Sequence, residues 1–312
     1  MDFIITGGAG FIGSHLAEQL LIEGHTVTIV DNLATGSLKN LPQHPSLKLI
    51  KKDILECQPE DFLAPVDGIA HLAAIPSVSE SWKEPIKGHS NNLSTTISVI
   101  QICQSLRIPR LVFASSAAVY GNQAKLPISE DRETNPISPY GLQKLTSEKY
   151  AGLFSQQLGM STIVLRLFNV FGPRQVPNSP YSGVVSKFVS AMRYNQPLTI
   201  YGDGTQTRDF IYVKDVAKAF STALTTPLMA GSCLTCNIAT NKSTSILQLV
   251  DILKSCFPEW YSKIQFLPVG TGDIQHSQAD ISKALSSLVF APEWSVEAGM
   301  KLLVDYIAID KK

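Results

Sequence analysis

The sequence has no excess charge of either sign. Its 312 residues include 26 basic and 26 acidic side chains spread along the chain, and the formal net charge is zero. Proteins that bind nucleic acids or acidic membrane surfaces through general electrostatics usually carry a basic stripe. We therefore expect no nucleic-acid or membrane partner, and an anionic ligand would have to be held by a local site.

Long apolar runs are also missing. No stretch approaches the roughly 20 apolar residues that a helix needs to cross a bilayer. The chain opens on the short apolar segment at residues 3–5 and a glycine cluster, without the basic and apolar regions of a signal peptide. These features predict a soluble, cytoplasmic protein.

Cysteine is scarce and its spacing is irregular. An odd, scattered set does not make a disulfide framework; the residues are Cys57, Cys103, Cys233, Cys236 and Cys256. Only Cys233 and Cys236 have the spacing of metal ligands, and they lack the second ligand pair of a structural zinc site. The six histidines show no pairing either. We predict no metal, and packing roles for both cysteines.

What the sequence does contain, in its first half, is an alternation of short β-branched runs with longer amphipathic stretches. This pattern is typical of right-handed parallel βαβ units with helices on both faces of the sheet. The predicted strands cover residues 3–6, 26–31, 47–51, 68–72, 110–114 and 161–166, and the predicted helices include 14–23 and 91–106. The fold class is therefore α/β, a doubly wound parallel sheet of the Rossmann type.

The alternation weakens past about residue 169 and indicates a second, smaller region. Predicted elements there are helices at 184–194 and 243–257, a strand at 198–201, and a strand followed by a helix within 208–225. We expect a dinucleotide-binding domain at residues 1–168, to which 208–238 returns, and a smaller C-terminal α/β substrate-binding domain at 169–312.

A glycine cluster directly follows the first predicted strand. Gly7, Gly10 and Gly13 permit a tight turn and let backbone N–H groups approach a pyrophosphate at the positive end of the next helix. Asp31 ends the second strand, where a carboxylate accepts hydrogen bonds from the adenosine ribose and repels a 2′-phosphate. A glycine-rich turn without a ligand is the alternative, but the register of all these parts favours NAD.

Three residues predict a site for proton transfer. Ser116 lies at the end of the fifth strand, and Tyr140 and Lys144 lie four residues apart, on one face of a helix. A lysine cation and the positive nicotinamide would lower the pKa of the phenol, so that Tyr140 acts as a base. Ser116 would hydrogen-bond the substrate oxygen. An isolated Tyr–Lys pair is more often only a solvated helix face, but the strand end at Ser116 and the glycine turn favour the site for proton transfer.

At this point the sequence resembles the extended short-chain dehydrogenase/reductase family, and within it the UDP-hexose 4-epimerases, including those that accept N-acetylated sugars. The resemblance runs along essentially the whole chain. It rests on the segments 6–13, 31–33, 91–92, 115–121, 138–140 with Lys144, 166–172 and 208–216.

The resemblance implies the residues of two binding sites. For the cofactor, NAD, which stays tightly bound and is regenerated in each turnover, they are Gly7, Gly10, Phe11, Ile12, Gly13, Asp31, Asn32, Asp53, Ile54, Leu72, Ala73, Ala74, Asn91, Tyr140, Lys144 and Phe168. For a UDP-sugar substrate they are Ser116, Asn169, Gly183, Val184, Tyr201, Arg208, Asp273 and Ser277. The implied reaction is 4-epimerisation of a UDP-hexose through a transient 4-keto sugar, in a homodimer formed by the helices at 91–106 and 140–154.

Several alternatives stay open. Dehydratases and decarboxylases of the family carry acidic residues where this chain has Ala117 and Ala118, which favours simple epimerisation, although Arg174 could serve a uronate. The small Ser277 leaves room for an N-acetyl group, or it merely caps a turn. Gly270 and Gln275 replace basic residues that are frequent in relatives. A non-catalytic NAD-binding sensor or scaffold is the alternative of another class.

Overall fold

The computed structural model describes residues 1–62, 65–175, 183–268 and 274–309. The strands are β1 Asp2–Thr6, β2 Thr26–Val30, β3 Leu47–Ile50, β4 Gly68–His71, β5 Arg110–Ser116, β6 Ser161–Leu167, β7 Asn169–Phe171, β8 Leu198–Tyr201, β9 Thr207–Arg208, β10 Phe210–Tyr212, β11 Cys233–Ile238, β12 Thr244–Ser245 and β13 Ile264–Leu267. The helices are α1 Phe11–Ile22, α2 Val78–Lys83, α3 Pro85–His89, α4 Thr95–Leu106, α5 Pro139–Leu158, α6 Val184–Arg193, α7 Val213–Thr225, α8 Ile246–Cys256, α9 Ser282–Leu288 and α10 Val296–Ile309.

A parallel sheet forms the centre of the fold. Among the described residues it has seven strands, in the order β11-β6-β5-β4-β1-β2-β3. The strand order reverses between β1 and β4, and in open α/β sheets ligands bind at the carboxyl ends of the strands beside such a reversal. The doubly wound α/β fold predicted from the sequence is confirmed.

Apolar side chains cover both faces of this sheet. Helices α1 and α7 pack on one face, where Leu16, Leu20 and Phe220 are fully buried. Helices α4 and α5 cover the other face, where Val99 and Ala151 are fully buried. A sheet enclosed on both sides explains why the strands are apolar runs rather than alternating ones.

The C-terminal region forms a second core. Apolar residues of α6, β8, α8 and α10 meet there, including Phe188, Leu198, Leu249 and Met300. Within the predicted segment 208–238, β11 pairs in parallel with β6 and so extends the central sheet. The predicted domain boundary at residue 168 stays a prediction.

Most element boundaries agree with the predicted ones to within a few residues, and two differences bear on the site. Helix α1 begins at Phe11 rather than at residue 14, directly after the glycine turn. The predicted helix at 91–106 starts as a π-helical turn, Ser90–Ser94, and continues as α4. Such turns are often found at functional sites. No described helix combines the length and the apolar character that spanning a membrane requires.

Candidate cofactor and active site

The glycine turn between β1 and α1 is shaped by two close backbone approaches. Gly7 has a φ of +69°, and a Cβ atom there would meet the backbone nitrogen of Ala73 at 2.8 Å. A Cβ atom on Gly13 would meet the carbonyl oxygen of Gly7 at 2.3 Å. A Cβ atom on Gly10 would meet only that same oxygen, at 3.1 Å. Glycine is required at positions 7 and 13 by the packing of this chain itself, and the turn leaves the start of α1 open to a phosphate group.

Asp31 follows β2 and is held by backbone donors. Its carboxylate accepts hydrogen bonds from the N–H groups of Ala9, at 2.9 Å, and Leu33, at 2.8 Å. Burial raises the pKa of Asp31, and these two N–H groups act in the opposite direction. The carboxylate therefore lies against the glycine turn, where a ribose hydroxyl can reach it.

The neighbouring predicted cofactor residues lie at the ends of the adjacent strands. Asn32 donates to a carboxylate oxygen of Asp53 at 2.9 Å, and Ile54 is buried beside them. Phe168, which follows β6, is buried with its ring centroid 6.4 Å from that of Tyr120. Phe11 and Ile12 form the first turn of α1.

A hydrogen-bond chain fixes the loop after β4, at residues 72–74. The Thr6 hydroxyl accepts the N–H groups of Leu72 and Ala73, both at 3.2 Å, so its own hydrogen points to Nδ1 of His71 at 2.7 Å. Nε2 of His71 then donates to Thr96 at 3.2 Å. Burial lowers the pKa of His71 to about 3. The imidazole is therefore neutral and structural.

Asn92, rather than Asn91, is the buried asparagine of the π-helical turn. Asn91 donates to the carbonyl oxygen of Lys87, four residues earlier in α3. Asn92 accepts the N–H of Ile75 at 2.8 Å and donates to Oε1 of Gln143 at 2.7 Å. It links the loop after β4 to α5. Sequence reasoning missed this role, and nothing in a pair of adjacent asparagines indicates which of them faces inward.

Helix α5 starts directly against the end of β5. Ser138 caps it by accepting the N–H of Gly141 at 3.1 Å, and Pro139 occupies the first helical position. A Cβ atom on Gly141 would lie 2.5 Å from the carbonyl oxygen of Ala118, in the turn after β5. This close approach holds the start of α5, which carries Tyr140, against the turn that follows Ser116.

Tyr140, the predicted base, and Lys144, the cation predicted to lower its pKa, are both buried. Burial raises the pKa of Tyr140 to about 12, and the hydrogen bond with Ser116 acts in the opposite direction. Burial lowers the pKa of Lys144 to about 8, while the charge of Glu148 raises it. Nζ of Lys144 donates to the carbonyl oxygen of Ala114 at 2.8 Å. The sequence predicted that a cation would lower the pKa of Tyr140. In the protein alone the pKa is raised instead, because burial has the largest effect.

Several predicted substrate residues lie in elements that follow β6 in the chain. Asn169 starts β7 and its N–H donates to the carbonyl oxygen of Asp209 at 3.0 Å. Gly183 and Val184 begin α6. Nη1 of Arg208 donates to the carbonyl oxygen of Thr207 at 2.8 Å. The carboxylates of Asp209 and Asp215 both accept backbone N–H groups.

The remaining predicted substrate residues differ in how far they are exposed to solvent. Ser277 is buried, and its N–H donates to the carbonyl oxygen of Thr207 at 3.2 Å. Tyr201 at the end of β8 is half exposed. Asp273 and Gly270 lie outside the described residues. Arg174, considered as a partner for a uronate, forms an ion pair with Glu18 of α1.

The two cysteines with metal-like spacing point in different directions on β11. Cys236 is fully buried and Cys233 is exposed. In the part of the chain that the structure describes, no group of three or more histidine, cysteine, aspartate or glutamate side chains could hold a metal ion.

Comparisons with known proteins show the family of the chain. Residues 3–239 match the model of the NAD dependent epimerase/dehydratase family. The chain is 37% identical over 307 residues to a putative UDP-glucose 4-epimerase of Methanocaldococcus jannaschii, covering 97% of each protein.

Two solved structures are similar along the whole chain. One is the UDP-N-acetylglucosamine 4-epimerase of Methanobrevibacter ruminantium in complex with UDP-N-acetylmuramic acid, with a TM-score of 0.93, 38% identity, and coverage of 99% of this chain and 98% of that one. The other is the UDP-glucuronic acid 4-epimerase of Bacillus cereus in complex with UDP-glucuronic acid and NAD, with a TM-score of 0.90, 32% identity and coverage of 99% of each chain.

Proposed function

Because the chain belongs to the NAD-dependent epimerase/dehydratase family, we propose that it interconverts a UDP-hexose and its 4-epimer through a transient 4-keto sugar. The observation that carries the proposal is that the buried Tyr140 and Lys144 of α5 lie against the carboxyl end of β5, where Lys144 binds the carbonyl oxygen of Ala114 and the strand ends at Ser116. Lys144 lies one helical turn further along α5. This is the arrangement that removal of a proton from a sugar hydroxyl requires.

The cofactor is NAD, and the protein residues fit it. The open start of α1 can take the pyrophosphate, and the Asp31 carboxylate suits a ribose without a 2′-phosphate. When bound, NAD supplies a positively charged ring and the acceptor for the hydrogen and electron pair that leave the 4-carbon and later return to it. The protein supplies position and proton transfer.

Three side chains have distinct proposed roles. Tyr140 takes the proton of the sugar 4-hydroxyl and returns it at the end of the cycle. Ser116 donates a hydrogen bond to the same oxygen and stabilises its developing charge. Lys144, with a pKa of about 8, is protonated at neutral pH and stabilises the phenolate.

The test of the reaction uses UDP-N-acetylglucosamine, UDP-glucose and UDP-glucuronate in separate incubations without added NAD. The anomeric protons are followed by NMR, and we expect the 4-epimer to appear from one of the first two sugars. Conversion of none of them, even with NAD supplied, would refute the proposal.

Tyr140→Phe should lower the rate of this conversion by about 10²–10⁴-fold, because it removes the only group proposed to accept the proton. The bound NAD, released by acid and quantified, should stay at the wild-type level. Tyr150→Phe is the matched control, since this phenol lies on the same helix and is partly exposed. An unchanged rate in Tyr140→Phe would contradict the assignment.

The N-acetylated sugar is proposed as a substrate because the position that bounds the sugar pocket in relatives is the small Ser277. Ser277→Tyr should reduce kcat/KM for UDP-N-acetylglucosamine about tenfold or more relative to UDP-glucose, since it fills that space. Ser277→Ala should change neither. Equal losses for both sugars would show that the residue does not discriminate between them.

The alternative reactions have less support. Dehydration or decarboxylation needs an additional proton-handling group, and the chain has Ala117 and Ala118 after Ser116. A uronate needs a cation, and Arg174 is already paired with Glu18. A non-catalytic sensor or scaffold would not need the Ser116–Tyr140 contact. Observation of a 4-keto-6-deoxy sugar or of a pentose product would favour one of these reactions.

We also propose a homodimer and a division of labour between two parts of the chain. The exposed faces of α5 carry Leu142 and Leu153, which are 56% and 69% exposed, and a partner subunit would cover them. Residues 1–168 with 208–238 would hold the cofactor, and the remainder of 169–312 would hold the UDP-sugar.

A further inference from the structure

A buried ion pair lies directly behind the proposed catalytic residues. Nη2 and Nε of Arg166 on β6 donate to Oε2 and Oε1 of Glu148 on α5, at 2.8 and 3.0 Å, and the side chains are 7% and 6% exposed. Replacing such a buried pair by apolar residues is often neutral or stabilising. Stability alone therefore does not account for its presence at this position.

The pair is bonded to the strand end that carries Ser116. Ser115 donates its hydroxyl hydrogen to Oε1 of Glu148, and it lies opposite Arg166 in the register between β5 and β6. Nη1 of Arg166 donates to the carbonyl oxygen of Glu130 at 3.3 Å, and its guanidinium lies 4.8 Å from the ring centroid of Tyr120. The position of Glu148 is thus set by groups on two neighbouring strands.

The same carboxylate lies next to Lys144. Glu148 follows Lys144 by four residues, so the two side chains share a face of α5. Lys144 binds the carbonyl oxygen of Ala114, and Glu148 binds the side chain of the next residue, Ser115. Two successive residues of β5, immediately before Ser116, are therefore attached to α5 by this lysine and this carboxylate.

We propose that Glu148 is a positioning residue for the proposed epimerisation. Its carboxylate keeps a negative charge one helical turn from Lys144, and its bond to Ser115 holds the end of β5 against α5. The inference rests on the proposed function for its catalytic effect. The charged and titratable groups around Lys144 are Tyr140 and Glu148 on its own helix, the neutral His71 at the end of β4, and Arg166 behind Glu148.

Two variants that break the same pair should move the pH profile in opposite directions. Glu148→Gln removes the anion and leaves the Arg166 cation, so Lys144 and Tyr140 lose their protons at lower pH. Arg166→Gln leaves the Glu148 anion unpaired, so both groups lose their protons at higher pH. We expect each limb of the profile of kcat against pH to move by roughly one unit, the shift that one nearby charge produces.

A second readout does not depend on the reaction. The ultraviolet absorbance of tyrosinate is titrated in each variant and in the same variant carrying Tyr140→Phe, and the difference isolates Tyr140. Its midpoint should fall in Glu148→Gln and rise in Arg166→Gln. If the wild-type protein converts no UDP-sugar, the proposed function fails, while this titration still decides whether Glu148 controls the charge of the site.

Thermal unfolding separates positioning from structural damage. Both variants leave one buried charge unpaired, so both should unfold at lower temperature. Loss of activity with shifts in the same direction, or with no shift, would overturn the inference. If either variant does not fold, the double variant Glu148→Met with Arg166→Met removes both charges. It should fold and lose the Lys144 proton at lower pH than the wild type, and an unchanged limb would also overturn the inference.

Discussion

At the residue scale, the hydrogen bonds that a buried polar group accepts at the carboxyl edge of the sheet fix the direction in which it donates its own hydrogen. Thr6, His71 and Thr96 illustrate this, because the two N–H groups that Thr6 accepts determine where its hydrogen points and therefore which nitrogen of His71 is protonated. These hydrogen bonds and the one from Ile75 to Asn92 hold the loop after β4 in place. The loop that is predicted to contact the cofactor is therefore positioned by the protein's own hydrogen bonds.

The buried neutral histidine makes the stability of the protein depend on pH. The pKa of His71 is about 3 in the folded protein and 6.5 ordinarily. As the pH falls, His71 therefore takes up a proton in the unfolded chain before it does so in the folded protein. The stabilisation is complete above about pH 6.5 and is lost progressively as the pH falls toward 3. At pH 5 the loss from one such histidine is about 2 kcal/mol.

Thermal unfolding of the wild type and of His71→Asn between pH 7 and pH 5 measures this contribution. The unfolding temperature of the wild type should fall more steeply with acidification than that of the variant. His44→Asn is the control, since the imidazole of His44 is exposed, and its slope should equal that of the wild type. Equal slopes in His71→Asn would contradict the neutral assignment.

At the element scale, helices α1 and α5 both begin in close contact with the backbone near a strand end, next to proposed site residues. Helix α1 starts after a turn in which Gly13 touches the backbone of Gly7, and α5 starts where Gly141 touches the backbone of Ala118. In both cases the missing Cβ atom allows a helix to approach a strand end closely. The first contact shapes the turn that is proposed to hold the pyrophosphate, and the second holds the start of α5, with Tyr140, against the turn that follows Ser116.

Gly141→Ala should therefore reduce activity more than stability. The added Cβ atom would lie 2.5 Å from the carbonyl oxygen of Ala118, so the start of α5 has to move away from Ser116, and a displacement near 1 Å costs about 10²-fold in rate. NMR assays of UDP-sugar conversion and thermal unfolding measure the two effects.

Gly152→Ala on the same helix provides the comparison. A Cβ atom there would meet only Sγ of Cys233, at 3.7 Å, which is ordinary contact. Activity should be unchanged, and stability should rise by about 0.4–1 kcal/mol because the unfolded chain loses conformational freedom. Similar activities in the two variants would indicate that the contact between α5 and the turn after β5 is dispensable.

At the scale of the whole molecule, the C-terminal region is tied to the cofactor-binding sheet at several points. β11 joins the sheet beside β6, and Asp215 at the start of α7 accepts the N–H groups of Glu293 and Trp294, just before α10. Arg174, after β7, pairs with Glu18 of α1. The segment after β7 is thus connected to α1, the helix that is proposed to hold the cofactor.

The proposed homodimer can be tested on the exposed face of α5. Leu153→Glu should convert the dimer to a monomer, because it places a charge in an apolar interface. Ile22→Glu on α1 is the control, since Ile22 is 81% exposed and lies away from this face, and it should leave the mass unchanged. Light scattering after size-exclusion chromatography measures the mass. A wild-type monomer, or a Leu153→Glu dimer, would contradict the proposed interface.

Much of this protein could be determined from the sequence because its signals are local. The alternation of strands and helices and the glycine turn with Asp31 depend on residues close together in the chain, and they predicted the α/β fold and NAD. The resemblance of short motifs indicated the family. All three are confirmed. The roles of individual site residues stay predictions, since they depend on a bound substrate.

Only the tertiary structure decided which polar groups meet across distant parts of the chain. Glu148 on α5 binds Ser115 on β5 and Arg166 on β6, so three separate elements meet there. Asn92 rather than Asn91 faces the interior. The pKa of Tyr140 also rises rather than falls, because the effect of burial is larger than the opposing effect of Ser116. Burial and long-range contacts depend on how the elements pack, and spacing along the sequence does not carry that information.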